Sequence, residues 1–441
     1  MVIRCSGTQP MAKVGGSTAP SADGFHGLAP CLRPQGWGRR TRWRQWVTGA
    51  AHALSLGAGA LCLGPRPIAA QAAALPAVRN LGPIVAVARD SIRRNNGIRV
   101  LSGGRVMVND VGSRRLLLLD STLGGGVPIL DTSTTAARTY PRSTPVLLPY
   151  SGDSTLILDA TALAFLVLDP AGRVVRVMSL PRGQDLKLLL GRVRPAIDTR
   201  QRLIFPAVQA SPFMPAPFGW LGTPPLPPGP DSAPLLRADL ATHAIDTVAF
   251  LRVAKLFAPV VRVDSAGHSK ATIVVNPLPV ADDWTLMPDG TIAIIRAQDF
   301  HIDWVAPDGA RTASAKLPHE WHRLSDSDKV AIVNAARQSD AAGNSPAMSA
   351  EFPDPQDLPD YQSPFSWAGT LADADGNVWI REPASPGAVD GPVYEIVNRK
   401  GTLFDRVRIP GGTVIVGFGP GLVYLSSRTG AGESLARARV R

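Results

Sequence analysis

Cysteine is nearly missing from this sequence: three residues of 441, at Cys5, Cys31 and Cys62. Beyond Cys62 there is no thiol, which excludes disulfides, thiolate catalysis and cysteine-ligated metal from the body of the chain and leaves burial to hold it together. Long apolar runs are missing too. The most apolar stretch, WVTGAAHALSLGAGALCLG, is rich in Ala and Gly, whereas a membrane span needs ~20 strongly apolar residues. No Gly-x-Ser-x-Gly elbow, phosphate-binding loop or dinucleotide fingerprint stands in a suitable context, so the common signatures of acyl transfer and nucleotide chemistry are lacking. Helix signals are scarce as well.

What is abundant is glycine and proline, 42 and 41 residues, with a formal net charge of +11. Most of that charge is local. Residues 1–72 hold eight of the 46 basic residues and one of the 35 acids, so the remainder carries only +4. A near-neutral large domain without an arginine-aromatic tract is not the footprint of a nucleic-acid binder. The layout of residues 1–72, a GRRTRWR cluster from Gly38 to Arg44, an apolar core and then PIAAQA ending at Ala72, predicts a secretory leader cleaved near Ala72. The mature chain, residues 73–441, would then be periplasmic or extracellular with no transmembrane anchor. The Arg39 and Arg40 pair leaves twin-arginine export open beside the general route.

The body of the chain repeats one unit, clearest in WTLMPDGTIAIIRAQDFHIDWVAPDGARTASAKLP, Trp284 to Pro318. It reads as four strands: Trp284–Met287, Thr291–Ile295, Phe300–Val305 and Ala310–Lys316. Pro-Asp-Gly turns close the first and third connections, because Gly takes positive φ without a Cβ clash and Asp hydrogen-bonds its own backbone. The position before the second strand recurs at Gly104, Ser154, Gln201, Gly290, Gly376 and Gly421, each followed by apolar residues at offsets +2 and +4. The spacings are 50, 47, 89, 86 and 45 residues. Three of them suit a four-stranded propeller blade, and the two long ones each accommodate an insertion.

The expected fold is therefore all-β, a six-bladed β-propeller occupying residues 73–441, with a proline-rich insertion at 206–234 and a short helical insertion within 319–365. Ser325 should cap that helix, with Asp328 completing a capping box. The hairpin-like VVRVDSAGHSKATIVVNP, Val260 to Pro277, leaves a seventh blade open. The last unit has room for three strands, so LGPIVAVARD at Leu81 should supply its outer strand and close the ring. The residues Trp284 to Gly290 with Ile292 and Ile294, and Asp373 to Trp379, resemble secreted bacterial six-bladed propellers related to NHL and TolB-like repeats. That resemblance covers about residues 80 to 441. It implies the fold, and it spans lyases, lactonases, peptide binders and sensors.

Candidate chemistry gathers on blade positions. Asp282 and Asp283 precede an inner strand, and Asp373 stands at the corresponding entry of the fifth unit. Together they would suit a divalent cation such as calcium or a cationic ligand. Asp299, His301 and Asp303 alternate along one strand and so share a side, suiting a divalent cation or an acid/base pair, or else a solvated face or a hydrogen-bonded blade interface. Arg296 and Arg381, with Trp304, Trp367 and Trp379, could line a carbohydrate or peptide groove. Their offsets from the turn glycine differ by one residue, which aims the two arginines to opposite faces, and tryptophans at such positions commonly pack between blades. His319-Glu320-Trp321-His322 lacks the i, i+4 histidine spacing of a zinc helix. Two functions remain open on these residues. One is an exported propeller binding a small-molecule, carbohydrate or protein ligand through one face, and the other is a metal-dependent lactonase, lyase or hydrolase using acids at the channel mouth. The second requires Asp282, Asp283, His301 or Asp373 to converge.

Overall fold

A computed structural model describes residues 75–441 except 133–138, 142–145, 191–194, 208–230, 256, 264–268, 344–349, 384–389 and 431. The expected leader lies outside the described residues. Six four-stranded antiparallel blades follow one another round a ring, each running outward from strand 1 at the centre. Blade 1 covers 95–130, blade 2 147–179, blade 3 196–252, blade 4 283–313 and blade 5 371–408, and blade 6 combines 413–439 with an outer strand from the N-terminal side.

The turns explain why the repeat is legible. Before strand 2, Gly104, Gly290, Gly376 and Gly421 all have positive φ, and Gln201 takes the same conformation at φ 61°. The turn aspartates clamp their own loops. Asp169 Oδ1 accepts the N–H of Ala171 and Arg173 at 3.0 and 2.9 Å, Asp198 Oδ1 those of Arg200 and Arg202 at 2.9 and 2.9 Å, and Asn398 those of Lys400 and Thr402. This is the side-chain-to-backbone bond that makes Asp and Asn turn formers.

Each interface between adjacent blades holds its own apolar cluster. Met107 and Leu116 meet Ile157 between blades 1 and 2, Leu156 and Phe165 meet Leu203 between 2 and 3, and Leu235 meets Trp284 and Ile294 between 3 and 4. Ile295 and Phe300 pack on Val378 between blades 4 and 5, Trp379 and Tyr394 on Val423 between 5 and 6, and Tyr424 on Val108 between 6 and 1. Strand 2 is thus buried on both sides, and residues at odd offsets are as enclosed as those at even ones. The alignment of blade 2 needs a correction. Leu156 and Leu158 face blade 3, while the corresponding residues of the other blades face the preceding blade. The anchor is Asp153 rather than Ser154, since a shift of one residue moves every side chain to the other face.

The ring closes as expected. Ile84–Val87 pairs antiparallel with the third strand of blade 6, Gly432–Arg439. A further strand, Val78–Asn80, runs parallel to Leu403–Arg408 and makes blade 5 five-stranded. The hairpin of Phe257–Val263 and Ser269–Val275 forms a separate three-stranded sheet with Ala350–Glu351. It is an insertion between blades 3 and 4, so the ring keeps six blades. The helix Asp326–Gly343 begins at Ser325, whose Oγ accepts the Asp328 N–H at 3.2 Å while Asp328 Oδ2 accepts the Ser325 N–H at 2.9 Å. Both halves of the capping box are present.

The insertion bounds shift inward. Pro206 and Ser232 to Pro234 belong to strands 2 and 3 of blade 3, so the proline-rich excursion is their connection, and residues 208–230 lie outside the described part.

Candidate functional site

Strand alternation gives the ring two unlike faces. Connections between strands 1 and 2 and between strands 3 and 4 open on one face, and the longest of them is 120–125. Connections between strands 2 and 3, and from one blade to the next, open on the other. On that second face begin and end the connections from Pro206 to Ser232, from Arg252 to Asp283, from Ala313 to Leu371 and from Arg381 to Val393. The longest connections therefore leave and re-enter the ring at one end of the central channel.

The channel is a cavity of about 800 Å³ walled by all six inner strands, with Arg99, Pro149, Ile197, Leu286, Leu371 and Phe418 among its lining. One carboxyl and one guanidinium reach it at that end. Asp283 opens strand 1 of blade 4, and Arg381 closes strand 2 of blade 5. Asp283 is 2 % exposed. Burial pushes its carboxyl up to about 6, against the donation of hydrogen bonds from the Thr370 and Trp284 N–H groups, each at 2.9 Å. Arg381 packs its Cβ on Gly369, beside Thr370, and stands directly across from Tyr394 on the neighbouring strand. Its Nε is buried without a partner, and no hydrogen bond or ion pair holds its guanidinium among the described residues. Ala368, on the same stretch of wall, adopts φ 58°, a left-handed conformation that costs a non-glycine residue energy and that clusters at functional sites.

The remaining candidates are placed elsewhere or are fully engaged. Asp282 turns away from its neighbour, as alternation along a strand requires. Its Oδ2 accepts Arg296 Nη1 at 2.7 Å and the Arg252 N–H at 2.9 Å, and its Oδ1 accepts the Ala297 N–H at 3.1 Å. Arg296 Nε donates to Asp303 Oδ2 at 2.7 Å. Asp303 Oδ1 is 3.1 Å from His301 Nε2, and His301 Nδ1 is 2.7 Å from Asp299 Oδ1. The structure thus joins Asp282, Arg296, Asp303, His301 and Asp299 into one polar chain. It runs on the blade 3 side of blade 4, where Arg296 and Asp303 border a smaller cavity of about 250 Å³. The alternating carboxylates and histidine do share a side, and they spend their bonds on each other.

Asp373 lies at the channel but accepts four donors: the N–H of Asp375 at 3.0 Å and of Asn377 at 2.8 Å, Asn377 Nδ2 at 2.9 Å and Trp379 Nε1 at 2.9 Å. It is a turn clamp that also satisfies a buried indole. Asp373→Ala should lower the free energy of unfolding by about 2–4 kcal/mol, because two or more buried donors lose their acceptor. Urea denaturation measures this, and a change below ~1 kcal/mol would refute the clamp role.

Trp379 and Trp304 pack between blades, with Arg399 5.6 Å over the Trp304 ring. His319 stacks edge-on against Phe300 at 5.4 Å, and burial lowers its affinity for a proton. His322 instead lies 4.0 Å from Asp328 at the helix start. Among the described residues no three His, Cys, Asp or Glu side chains gather as a ligand set for a metal ion. The acids proposed for calcium do not fit one: of Asp282, Asp283 and Asp373, the first faces away and the last is saturated.

Sequence reasoning missed Tyr394 and Glu395, neighbours on strand 3 of blade 5. Glu395 was visible as the one acid inside an otherwise apolar VYEIV strand. It is 2 % exposed, its Oε2 has no partner, and burial, followed by the neighbouring Glu382, pushes its carboxyl up to about 8.

No family model matches this sequence, and no curated protein matches it either. Solved structures do resemble it. A gluconolactonase from Xanthomonas campestris is 14% identical over 82% of this chain and 99% of its own, with a TM-score of 0.36. A calcium-binding protein, regucalcin, from Agrobacterium tumefaciens is 11% identical over 82% and 98%, with a TM-score of 0.37. Virginiamycin B lyase from Staphylococcus aureus is 10% identical over 80% and 97%, with a TM-score of 0.34.

Proposed function

We propose that this chain is an exported propeller, related to the NHL and TolB-like repeat proteins, that binds a small ligand at the mouth of its central channel where the long connections leave the ring. The observation that carries the reading is a coincidence of place. The end of the channel where the longest connections leave and re-enter the ring also holds Asp283, whose carboxyl burial pushes up to about 6, and Arg381, whose guanidinium has no partner among the described residues. Long loops on a rigid ring are where binding specificity resides, and a concave, largely apolar cavity with a few convergent polar groups is the usual form of a ligand site. A metal-dependent enzyme needs its acids to converge, and Asp282, Asp283, His301 and Asp373 are held apart.

A thermal-shift screen of small molecules against the full-length protein tests this. Stabilising compounds should lose their effect in Val414→Trp, which places an indole in the channel wall at an exposed position, and keep it in His301→Ala. Compounds that persist in Val414→Trp would refute the site. Chelator should leave the melting temperature within ~1 °C, since only a bound metal contributes stability through mass action. A larger loss, with chemical conversion of a stabilising compound, would favour the enzyme reading.

A further inference from the structure

Several arginines among the described residues hold anionic partners. Arg79 holds Asp405, Arg115 holds Asp110, Arg202 holds Asp198, Arg296 holds Asp282 and Asp303, and Arg406 holds Glu382. The other arginine of the channel, Arg99, spends its Nη groups on the carbonyls of Val100 at 2.9 Å and Gly152 at 3.2 Å. Arg99 Nε is also buried without a partner, yet of the two channel arginines only Arg381 makes no hydrogen bond to a described residue. It is half-buried, its Nε is enclosed without an acceptor, and neither Nη donates to a described group. The carboxylates at the same wall are turned elsewhere, Asp283 to the Thr370 and Trp284 N–H groups and Asp373 to its own turn. A buried guanidinium nitrogen without an acceptor is costly, and the planar fork of arginine matches carboxylate and phosphate oxygens in a bidentate bond. Around it the wall is apolar: Leu371, Val414, Ile415 and Phe418.

Resting on the channel reading above, we propose that Arg381 anchors the anionic group of a ligand whose remaining body is apolar or aromatic, a carboxylate or phosphate ester small enough for the channel. The anion takes Nε and one Nη. Phe418, half-buried in the channel wall, then offers its ring to the body.

The test uses three probes of one shape and different charge, benzoate, benzyl alcohol and benzamidine, with inorganic phosphate as a bare anion. Each is titrated by saturation-transfer NMR into the full-length protein and into Arg381→Gln, Arg381→Lys and Val414→Trp, with circular dichroism confirming that each variant is folded. Benzoate should saturate, weaken about tenfold or more in Arg381→Gln, recover in part in Arg381→Lys, and be displaced in Val414→Trp. Phosphate competing with benzoate would show that the anionic group alone is recognised. The proposal is overturned if benzoate binds wild type and Arg381→Gln alike, or if benzyl alcohol or benzamidine binds as well as benzoate. Should those probes still be lost in Val414→Trp, the channel reading survives without its anion. If no probe saturates the wild-type protein, both fall together.

Discussion

A chain lacking residues 75–90 is expected to show no cooperative unfolding transition near that of the intact protein, although every blade keeps its central strands. The missing segment closes the ring at two adjacent places. Ile84, Ala86 and Val87 pair with Ala438, Arg437 and Ala436, the Ala88 N–H donates to the Leu435 carbonyl at 2.7 Å, and the Leu81 N–H to that of Arg408 at 2.9 Å. Arg79 bonds Asp405 through Nε at 3.1 Å and Nη2 at 2.7 Å, and the Val440 carbonyl through Nη1 at 2.7 Å. Without it the Asp405 carboxylate, whose residue is 8 % exposed, keeps only Arg441 at 3.7 Å. Losing one partner of a buried pair costs about 3 kcal/mol or more, and each stripped ladder bond about 1 kcal/mol. The sum, on the order of 10 kcal/mol, is comparable with the whole stability of a domain. The effect is also global, because blade 6 contacts blade 1 through Tyr424 and Leu435 and an opened ring exposes both blade flanks. Thermal and urea denaturation of the truncated chain measure the loss, and a peptide of residues 75–92 added in trans should restore the transition. A truncated chain that keeps its melting temperature within a few degrees, or that loses one small separate transition, would show that closure is local.

That closure was legible because it follows from counting: a last unit with three strands needs a fourth, and Leu81 to Asp90 was the unassigned apolar stretch. Turn chemistry carried the rest of the fold, since the Asp or Asn that accepts N–H groups two and four residues on recurs at Asp169, Asp198, Asp373 and Asn398. Two things did not show. The phase of blade 2 is one residue away from the sequence alignment because strand 2 is buried on both faces, so alternation carries no information there. Val78–Asn80 escaped because its parallel pairing with blade 5 depends on where the chain enters the ring, which no local pattern encodes.

The site was legible in part, for a related reason. Asp282 and Asp283 are adjacent, so only one can face the channel, and sequence could not say which until the strand start was fixed at Asp283. Arg296 and Arg381 do point to opposite sides, as their unequal offsets from Gly290 and Gly376 require, Arg296 toward blade 3 and Arg381 into the channel. What separates a structural ion from a free one is the partner, and partners come from other blades. Asp282 finds the Arg252 backbone of blade 3, whereas Arg381 finds no acceptor among the described residues. That the long connections leave the ring at one channel end needs only strand parity, yet parity depends on knowing that Pro206 and Ser232 to Pro234 lie within strands.

Glu395→Gln is expected to abolish a fall in stability that the wild-type protein shows between about pH 7 and 8.5. Glu395 stands across from Arg406 in the sheet, but Arg406 gives its Nε and Nη2 to Glu382 at 2.8 and 2.7 Å, leaving Glu395 buried beside a second carboxylate. Burial first, then the charge of Glu382, holds its proton to about pH 8, with Arg406 opposing. The unfolded chain releases the same proton near 4.5. Between those values the folded state binds more protons than the unfolded one, so stability falls as pH rises, and below 4.5 the group has no effect. The total is on the order of 4 kcal/mol, since each tenfold gain in proton affinity on folding is worth about 1.36 kcal/mol. Asp283, pushed up to about 6, adds a fall of the same sign from about 4 to 6, and His319, whose proton affinity burial lowers, adds an opposing rise around the free imidazole value of 6.5, so the range from about pH 7 to 8.5 isolates Glu395. Glutamine keeps the shape and carries no charge at any pH. Urea midpoints at constant slope, taken at half-unit steps, should decline with pH in the wild type and stay level in Glu395→Gln. In Glu382→Gln the decline should end at a lower pH, because the negative charge that hinders ionisation is gone and Arg406 is released to face Glu395. Parallel declines in wild type and Glu395→Gln would mean that Glu395 is already ionised in the fold, with its charge matched by Arg406 rather than suppressed by burial.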